Sequence, residues 1–180
     1  GGYFIVNGSE KVLIAQESQK TNAVFCFEKK GNPTFTWTAE VRSVAENSNR
    51  ASSTLYCQMY RQKKEGARRR NQHMIGCRLP NFPEDVPVVA VFRALNFLPD
   101  RELIEYIVHD FADQDMMQRL RPSLEEAALL STKERALDFI AKRSGNLSVT
   151  QSLAPDRRRW AEKELLNKEL LPHMGCLLYT

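Results

Sequence analysis

Hydrophobic spacing changes period once along this chain, and the change falls at Leu79-Pro80-Asn81-Phe82-Pro83-Glu84-Asp85-Val86-Pro87. Before this segment, apolar residues alternate with polar ones, the two-residue period of strands. After it they recur every three or four residues, the period of helices. Three prolines cannot continue a central strand, so the segment reads as a hinge between two unlike halves. Such a chain is restricted to an α+β fold: an antiparallel β-sheet in the N-terminal half followed by a helical half.

The β half opens with a hairpin. Two apolar arms, Tyr3 to Val6 and Val12 to Ala15, flank Asn7-Gly8, and both turn residues tolerate positive φ. Ala23 to Glu28 reads as a strand, and Gly31-Asn32-Pro33 as the turn out of it. Residues 35–41 alternate: Phe35, Trp37, Ala39 and Val41 on one face, Thr36, Thr38, Glu40 and Arg42 on the other. The apolar face, Phe35 and Trp37 included, is expected in the core. Leu55, Cys57 and Met59 alternate with Tyr56, Gln58 and Tyr60, and Ile75, Cys77 and Leu79 with Met74, Gly76 and Arg78. Between these last two strands lies Arg61 to Asn71, the most charged loop of the chain.

In the α half, Val86 to Leu95 is ambiguous: its valines favour a strand, whereas Asp85 as an N-cap, Pro87 in a first turn, a shared face of Val88, Phe92 and Leu95, and Asn96 as a left-handed stop favour a helix, the reading that the resemblance described below also implies. Asp100 is expected to cap a second, with a stripe of Leu103, Ile104, Ile107, Val108 and Phe111. Asp113 to Arg121 forms a third that Pro122 breaks, and Ser123 starts the next. Ser131 with Glu134 reads as a capping box for a helix carrying Ala136, Leu137 and Ile140. Pro155 starts a last helix with Trp160, Ala161, Leu165, Leu166 and Leu170 inward, and Pro172 closes it.

No apolar stretch approaches the ~18 residues a membrane span needs. The four cysteines, Cys26, Cys57, Cys77 and Cys176, contain no Cys-x-x-Cys spacing; the three in strand-like runs read as buried, reduced small hydrophobes. No catalytic constellation is visible. His73, His109 and His173 are dispersed, with His109 a packed or capping residue. No phosphate-cradling glycine motif occurs. The acidic pairs Glu84-Asp85, Asp113/Asp115 and Glu125-Glu126 read as helix-start charges rather than metal ligands.

Charge is uneven. Residues 1–99 carry 14 Lys and Arg against 8 Asp and Glu, and residues 100–180 carry 12 against 14. Arg61, Lys63, Lys64, Arg68, Arg69 and Arg70 crowd one expected hairpin tip, where they are either phosphate-directed charges or a solvated edge. Arg157-Arg158-Arg159, expected near a helix N-terminus where positive charge is unfavourable, is a candidate partner contact.

The spelling of particular segments adds a resemblance. Gly1 to Glu17, Gly-Gly-Tyr-Phe-Ile-Val-Asn-Gly-Ser-Glu-Lys-Val-Leu-Ile-Ala-Gln-Glu, closely resembles a segment of the second-largest subunit family of RNA polymerases, in its eukaryotic polymerase II form. Further matches follow in the same order: Arg42-Ser43, Glu46 to Arg50, Val86-Pro87, Val91 to Leu95, Asp100 to Glu105, His109 to Phe111, Pro122 to Leu124, Ala136 to Ile140 and Lys168 to Gly175.

The resemblance implies a non-catalytic structural part of a DNA-directed RNA polymerase in the nucleus. Residues 1–17 would be a strand hairpin from the end of the protrusion domain. Residues 18–180 would be the lobe, truncated at its C-terminal end, forming one wall of the DNA cleft. It implies as partners the largest subunit, a small zinc-ribbon subunit, general initiation factors, the DNA template and the RNA–DNA hybrid. It implies no cofactor in this fragment, with the Mg²⁺ and zinc sites of the parent enzyme elsewhere. Lys11 and Gln16 match positions beside the hybrid path, and Lys20 stands in for a basic residue that relatives place nearer Glu17. With Lys63, Lys64, Arg68, Arg69 and Arg70 of the basic tip, these are the candidate nucleic-acid-facing residues. The rival reading is a free-standing nucleic-acid-binding domain using residues 61–70; a third is an interaction module without DNA contact.

Overall fold

The computed structural model describes residues 2–46, 51–60, 74–96 and 99–174, apart from the side chains of 164–167. The basic tip with Lys63, Lys64, Arg68, Arg69 and Arg70, His73, Cys176 and the inward placement of Leu165 and Leu166 lie outside the described residues.

The opening hairpin pairs β1 (Phe4–Val6) with β2 (Ser9–Lys11) across Asn7 and Gly8, whose φ angles are 53° and 77°. A two-residue turn forces Val6 opposite Ser9, so the second arm is Ser9–Lys11 and not the expected Val12 to Ala15. Tyr3, Phe4, Ile5, Val6, Val12, Leu13 and Ile14 are all more than half exposed, so this segment adds nothing to the core.

The main sheet has five antiparallel strands in chain order: β3 (Val24–Glu28), β4 (Phe35–Ser43), β5 (Ser53–Tyr60), β6 (Ile75–Arg78) and β7 (Val86–Pro87). The Asn32 side chain accepts hydrogen bonds from the Thr34 and Phe35 N–H groups at 2.8 and 3.1 Å, which shapes the turn into β4.

Two expectations for β4 fail. The register shifts between Phe35 and Trp37: Trp37 pairs with Met59, whereas Phe35 pairs with Tyr60 and meets its ring edge-on at 5.2 Å. Met59 and Tyr60 point to opposite faces, so Phe35 and Trp37 do too. Trp37 is also 48% exposed, not a core residue, while Thr38 is buried. Alternation finds two faces but does not say what covers them. The helices pack on Leu55, Cys57, Ile75, Cys77 and Val86 at the β5–β7 side, and Trp37 lies beyond their reach. Thr38 is hidden between its cross-strand neighbours Phe27 and Gln58. Cys26 is exposed, against expectation; Cys57 is half-buried and Cys77 buried.

The hinge is built differently from its sequence reading. Val86 and Pro87 form a short edge strand, where a missing N–H is tolerated. Asp85 does not cap: helix α1 (Val88–Ala94) begins after Pro87 without a side-chain cap. Val88, Val89, Ala90, Val91, Arg93 and Ala94 are all buried, so α1 is covered almost all round rather than along the expected Val88/Phe92/Leu95 stripe. Each buried valine contributes about 1.5–3 kcal/mol. Asn96 takes the left-handed stop as expected, at φ 78°.

Helix α2 (Asp100–Val108) ends at His109, whose φ of 59° makes it the C-cap, so Phe111 falls outside the stripe and is exposed. Asp100 does not cap α2 either; its carboxylate accepts from Arg93. Helix α3 (Gln114–Glu126), capped by Asp113, runs straight through Pro122. An interior proline costs about 3 kcal/mol. Tertiary anchors offset it: Leu120 and Ala127 are buried, and the Ser123 hydroxyl accepts from the Ile75 N–H at 3.0 Å. Helix α4 (Lys133–Lys142) is capped by Thr132, one residue later than the expected Ser131, and buries Ala136, Leu137, Ile140 and Ala141. Asn146 caps the short α5 (Leu147–Thr150). Helix α6 (Ala154–Trp160) continues into a π-helical stretch, Ala161–Leu170.

Two ties close the molecule. Ser43 and Ser53, the last register pair of β4 and β5, hold the C-terminal segment. Ser53 donates to the Glu169 carbonyl at 2.5 Å, and Ser43 accepts from the His173 N–H at 3.1 Å while lying 2.7 Å from its Nδ1. In the helical half, the Arg93 guanidinium donates to the carbonyl of Ala127, the C-cap of α3, to that of Leu130 in the turn after it, and at 2.6 Å to Asp100 at the start of α2.

Arg93→Ala removes the charged donor from both carbonyls, leaving Ala127 only the Leu130 N–H, and leaves a cavity in the covered helix. It is expected to cost the isolated chain about 3–5 kcal/mol in chemical denaturation, with Arg93→Lys recovering only part, because one ammonium cannot reach all three acceptors.

Candidate nucleic-acid interface

The basic segment expected to face nucleic acid leaves the sheet at Tyr60 and returns at Met74, and the structure shows what holds these ends. The Tyr60 N–H donates to the Met74 carbonyl at 3.0 Å. The Tyr60 ring leans on Phe35, and its hydroxyl donates to Asp85 Oδ2. Arg78 Nε donates to Asp85 Oδ1 at 2.8 Å, so both carboxylate oxygens are engaged, and only 8% of the Asp85 side chain is exposed. Burial, the hydrogen bond to Asp85 and the Asp85 charge push the Tyr60 phenol far above its ordinary range, so it stays a donor. Gly76 makes this packing possible: a Cβ there would meet Tyr60 Cε2 at 2.9 Å. The Asp85 that fails to cap α1 is therefore the clamp of the β5–β6 base, a role that no local sequence signal marks.

Of the other candidates, Lys11 ends β2, while Gln16 and Lys20 lie in the segment between β2 and β3; all three are exposed. Asn22 fastens that segment to the far end of β4, through the Arg42 carbonyl at 2.8 Å and both polar groups of Val44. Leu55 is opposite Val41 at that end and Tyr60 is opposite Phe35 at the other. Five residues of strand separate them, about 17 Å. The structure thus does not bring Lys20 together with the base of the basic segment.

The arginine triplet is partly committed. Arg157 donates to Asp138 at 2.7 Å and to the Ser152 carbonyl, and Lys142 shares Asp138 at 2.8 Å. The triplet lies near the start of a helical run that begins at Ala154 and continues through the π-helical stretch to Leu170, as the sequence suggested. The acidic pairs also differ from expectation. Asp113 does cap α3, and Asp115 pairs with Arg119 at 2.8 Å. Glu125 and Glu126, however, end α3 because that helix continues past Pro122. Burial pushes Glu126 above its ordinary value, against the opposing charge of Arg143.

Among the described residues, no group of three or more His, Cys, Asp or Glu side chains is placed to hold a metal ion. The Ser43–His173 contact is a packing tie: Ser43 is fully buried. A cleft of about 730 Å³ opens between Pro80–Pro83 and Ser144–Asn146, with Trp160 and Glu169 on its wall. The buried Ser144 hydroxyl has no partner there. The sequence shows these two stretches only as a hinge and a helix end, and nothing local indicates that they face each other.

The model of the family described as RNA polymerase Rpb2, domain 2, matches residues 12–177. The chain is similar to DNA-directed RNA polymerase II subunit 2 of Arabidopsis thaliana, 45% identical over 175 residues, which is 97% of this chain and 14% of that protein. It is 41% identical to DNA-directed RNA polymerase II subunit RPB2 of Encephalitozoon cuniculi, again over 97% of this chain and 14% of that protein. It is 34% identical, with the same shares covered, to DNA-directed RNA polymerase subunit Rpo2 of Sulfolobus acidocaldarius. The chain therefore spans about 14% of the length of these relatives.

Two substitutions test the site's construction. Gly76→Ala should destabilise the chain by about 1–3 kcal/mol by displacing the Tyr60 ring, and the loss should shrink in a Tyr60→Ala background; a denaturation double-mutant cycle reads the coupling. Glu126 has its folded pKa raised, so its contribution is fully present below the unfolded value near 4.5 and is lost as pH rises through the folded value. Glu126→Gln should therefore stabilise the chain at neutral pH, by less than about 1 kcal/mol given solvent screening at this exposed side chain, and leave stability unchanged below that value.

Proposed function

The chain belongs to the RNA polymerase Rpb2, domain 2, family, and on that premise we propose that it is a non-catalytic structural part of a DNA-directed RNA polymerase II. In this reading it forms one wall of the DNA cleft and a docking surface for other subunits and for initiation factors, in a nuclear complex. The observation that carries the proposal is the 45% identity to a polymerase II subunit across 97% of the chain. Residues 1–17 belong to the preceding protrusion domain and the remainder to the lobe. The separation is supported by the exposed apolar side chains of Tyr3 to Ile14. Catalytic Mg²⁺ ions and structural zinc belong to other parts of the enzyme. In support, the acids of this chain are engaged otherwise: Asp85 by Tyr60 and Arg78, Asp113 as a cap, Asp115 and Glu125 in ion pairs.

Nucleic-acid contact in this reading is electrostatic. Lys63, Lys64, Arg68, Arg69 and Arg70 act as phosphate-directed charges carried on the clamped β5–β6 base, with Lys11, Gln16 and Lys20 near the hybrid in the assembled enzyme.

The purified chain should bind duplex DNA weakly, without sequence preference, and with affinity falling as salt rises. Neutralising Lys63, Lys64, Arg68, Arg69 and Arg70 should lower the log–log salt slope by about 0.9 for each phosphate that no longer meets a cation. Fluorescence anisotropy across a salt series reads both quantities. A tight, sequence-dependent complex abolished by the same substitutions would instead favour a free-standing nucleic-acid-binding domain. Nucleotide incorporation by the chain alone would overturn the non-catalytic reading.

A further inference from the structure

Cys57 and Cys77 face each other across β5 and β6, with their sulfurs 3.3 Å apart. Their place in the ladder matters. Tyr60 and Met74 exchange a backbone hydrogen bond, and in an antiparallel pair hydrogen-bonded and non-hydrogen-bonded positions alternate. Counting back through Met59–Ile75 and Gln58–Gly76 makes Cys57–Cys77 a non-hydrogen-bonded pair. Such pairs hold their Cα atoms about 4.5 Å apart, the closest approach in a sheet and within the roughly 4.4–6.8 Å range that a disulfide spans. Small rotations about the two Cα–Cβ bonds suffice to join the sulfurs.

We propose that Cys57 and Cys77 form an oxidative modification site, at which hydrogen peroxide converts the facing thiols into a cross-strand disulfide. The two sulfurs are not equivalent. Cys57 is half-buried, while Cys77 is 3% exposed. The hydrogen bond from Cys77 lowers the Cys57 thiol, with burial opposing, and the same contact, together with burial, holds Cys77 well above the usual thiol range. Cys57 is thus the attacking sulfur and Cys77 the resolving one. The Cys57 thiolate attacks one peroxide oxygen, the O–O bond breaks, and water leaves with the thiol proton, giving a sulfenic acid. Cys77 then attacks that sulfur. The S–O bond breaks and hydroxide departs as water with the Cys77 proton. Two thiols lose two electrons, and one peroxide becomes two waters. The bond closes the base of the hairpin that carries the basic segment 61–70.

Peptide mapping of the full 180-residue chain tests the proposal. After dilute peroxide and alkylation with N-ethylmaleimide, tryptic digestion should yield peptides Ala51–Arg61 and Asn71–Arg78 linked to each other and lighter by two hydrogens. Non-reducing electrophoresis should show a monomer. Dithiothreitol should restore alkylation at both cysteines. Cys57→Ser should abolish the link and leave Cys77 alkylatable. Because the wild-type map stands without any variant, a folding defect in Cys57→Ser does not weaken the test. Recovery of Cys57 as the alkylated thiol, as a sulfinic acid, or joined to Cys26 or Cys176 once half of the chain's thiols are consumed would overturn the proposal.

Discussion

The helical half depends on one buried cation. Arg93 sits on α1, the helix with the least solvent around it, and its side chain is only 5% exposed. A guanidinium there requires acceptors, and three converge on it: the carbonyls of Ala127 and Leu130 and the carboxylate of Asp100. Ala127 caps the C-terminus of α3 and Leu130 lies in the turn that follows, so the cation sits just past a helix C-terminus, where the partial charge is negative. Asp100 opens α2. One side chain thereby fixes where α3 ends and where α2 begins relative to α1. It also helps explain why α3 tolerates Pro122, since the helix is held from outside at Ser123 and at its end.

The sheet half is organised by a smaller polar clamp. Asp85 arrives from the proline-rich hinge and engages Tyr60 and Arg78 from the two strands that bracket the basic segment. The same residue therefore sets both the hinge and the base of the charged hairpin. The Cys57–Cys77 pair lies three residues from Tyr60 and one from Arg78, on the opposite face of the same two strands.

Much of the architecture is legible in the spacing of residues. The period change at Leu79–Pro87 separates sheet from helices, Asn7-Gly8 makes its turn, Asn96 its stop, and Asp113 with Asp115 stands at a helix start. The failures share a cause. Trp37 alternates like a core residue yet is exposed, because it lies outside the cluster where the helices pack on the sheet. Asp85 and Asp100 look like caps but are drawn to Tyr60, Arg78 and Arg93, which are distant or on other elements. Pro122 reads as a break, and contacts from the sheet and from α1 carry the helix across it. For the site, the candidate basic residues are visible as composition, but the clamp beneath them is not, since its members lie up to 25 residues apart in sequence.

By itself the sequence determined the fold class, the succession of a sheet half and a helical half, the family and the crowding of charge between β5 and β6, because periodicity, turn chemistry and composition are local properties. Tertiary structure alone decided which sheet face is covered, which acid caps and which acid pairs, that Arg93 is buried, and that Cys57 meets Cys77. Those outcomes depend on register and on the convergence of groups from different elements. An alternating pattern is compatible with either face and several registers, and only packing selects among them.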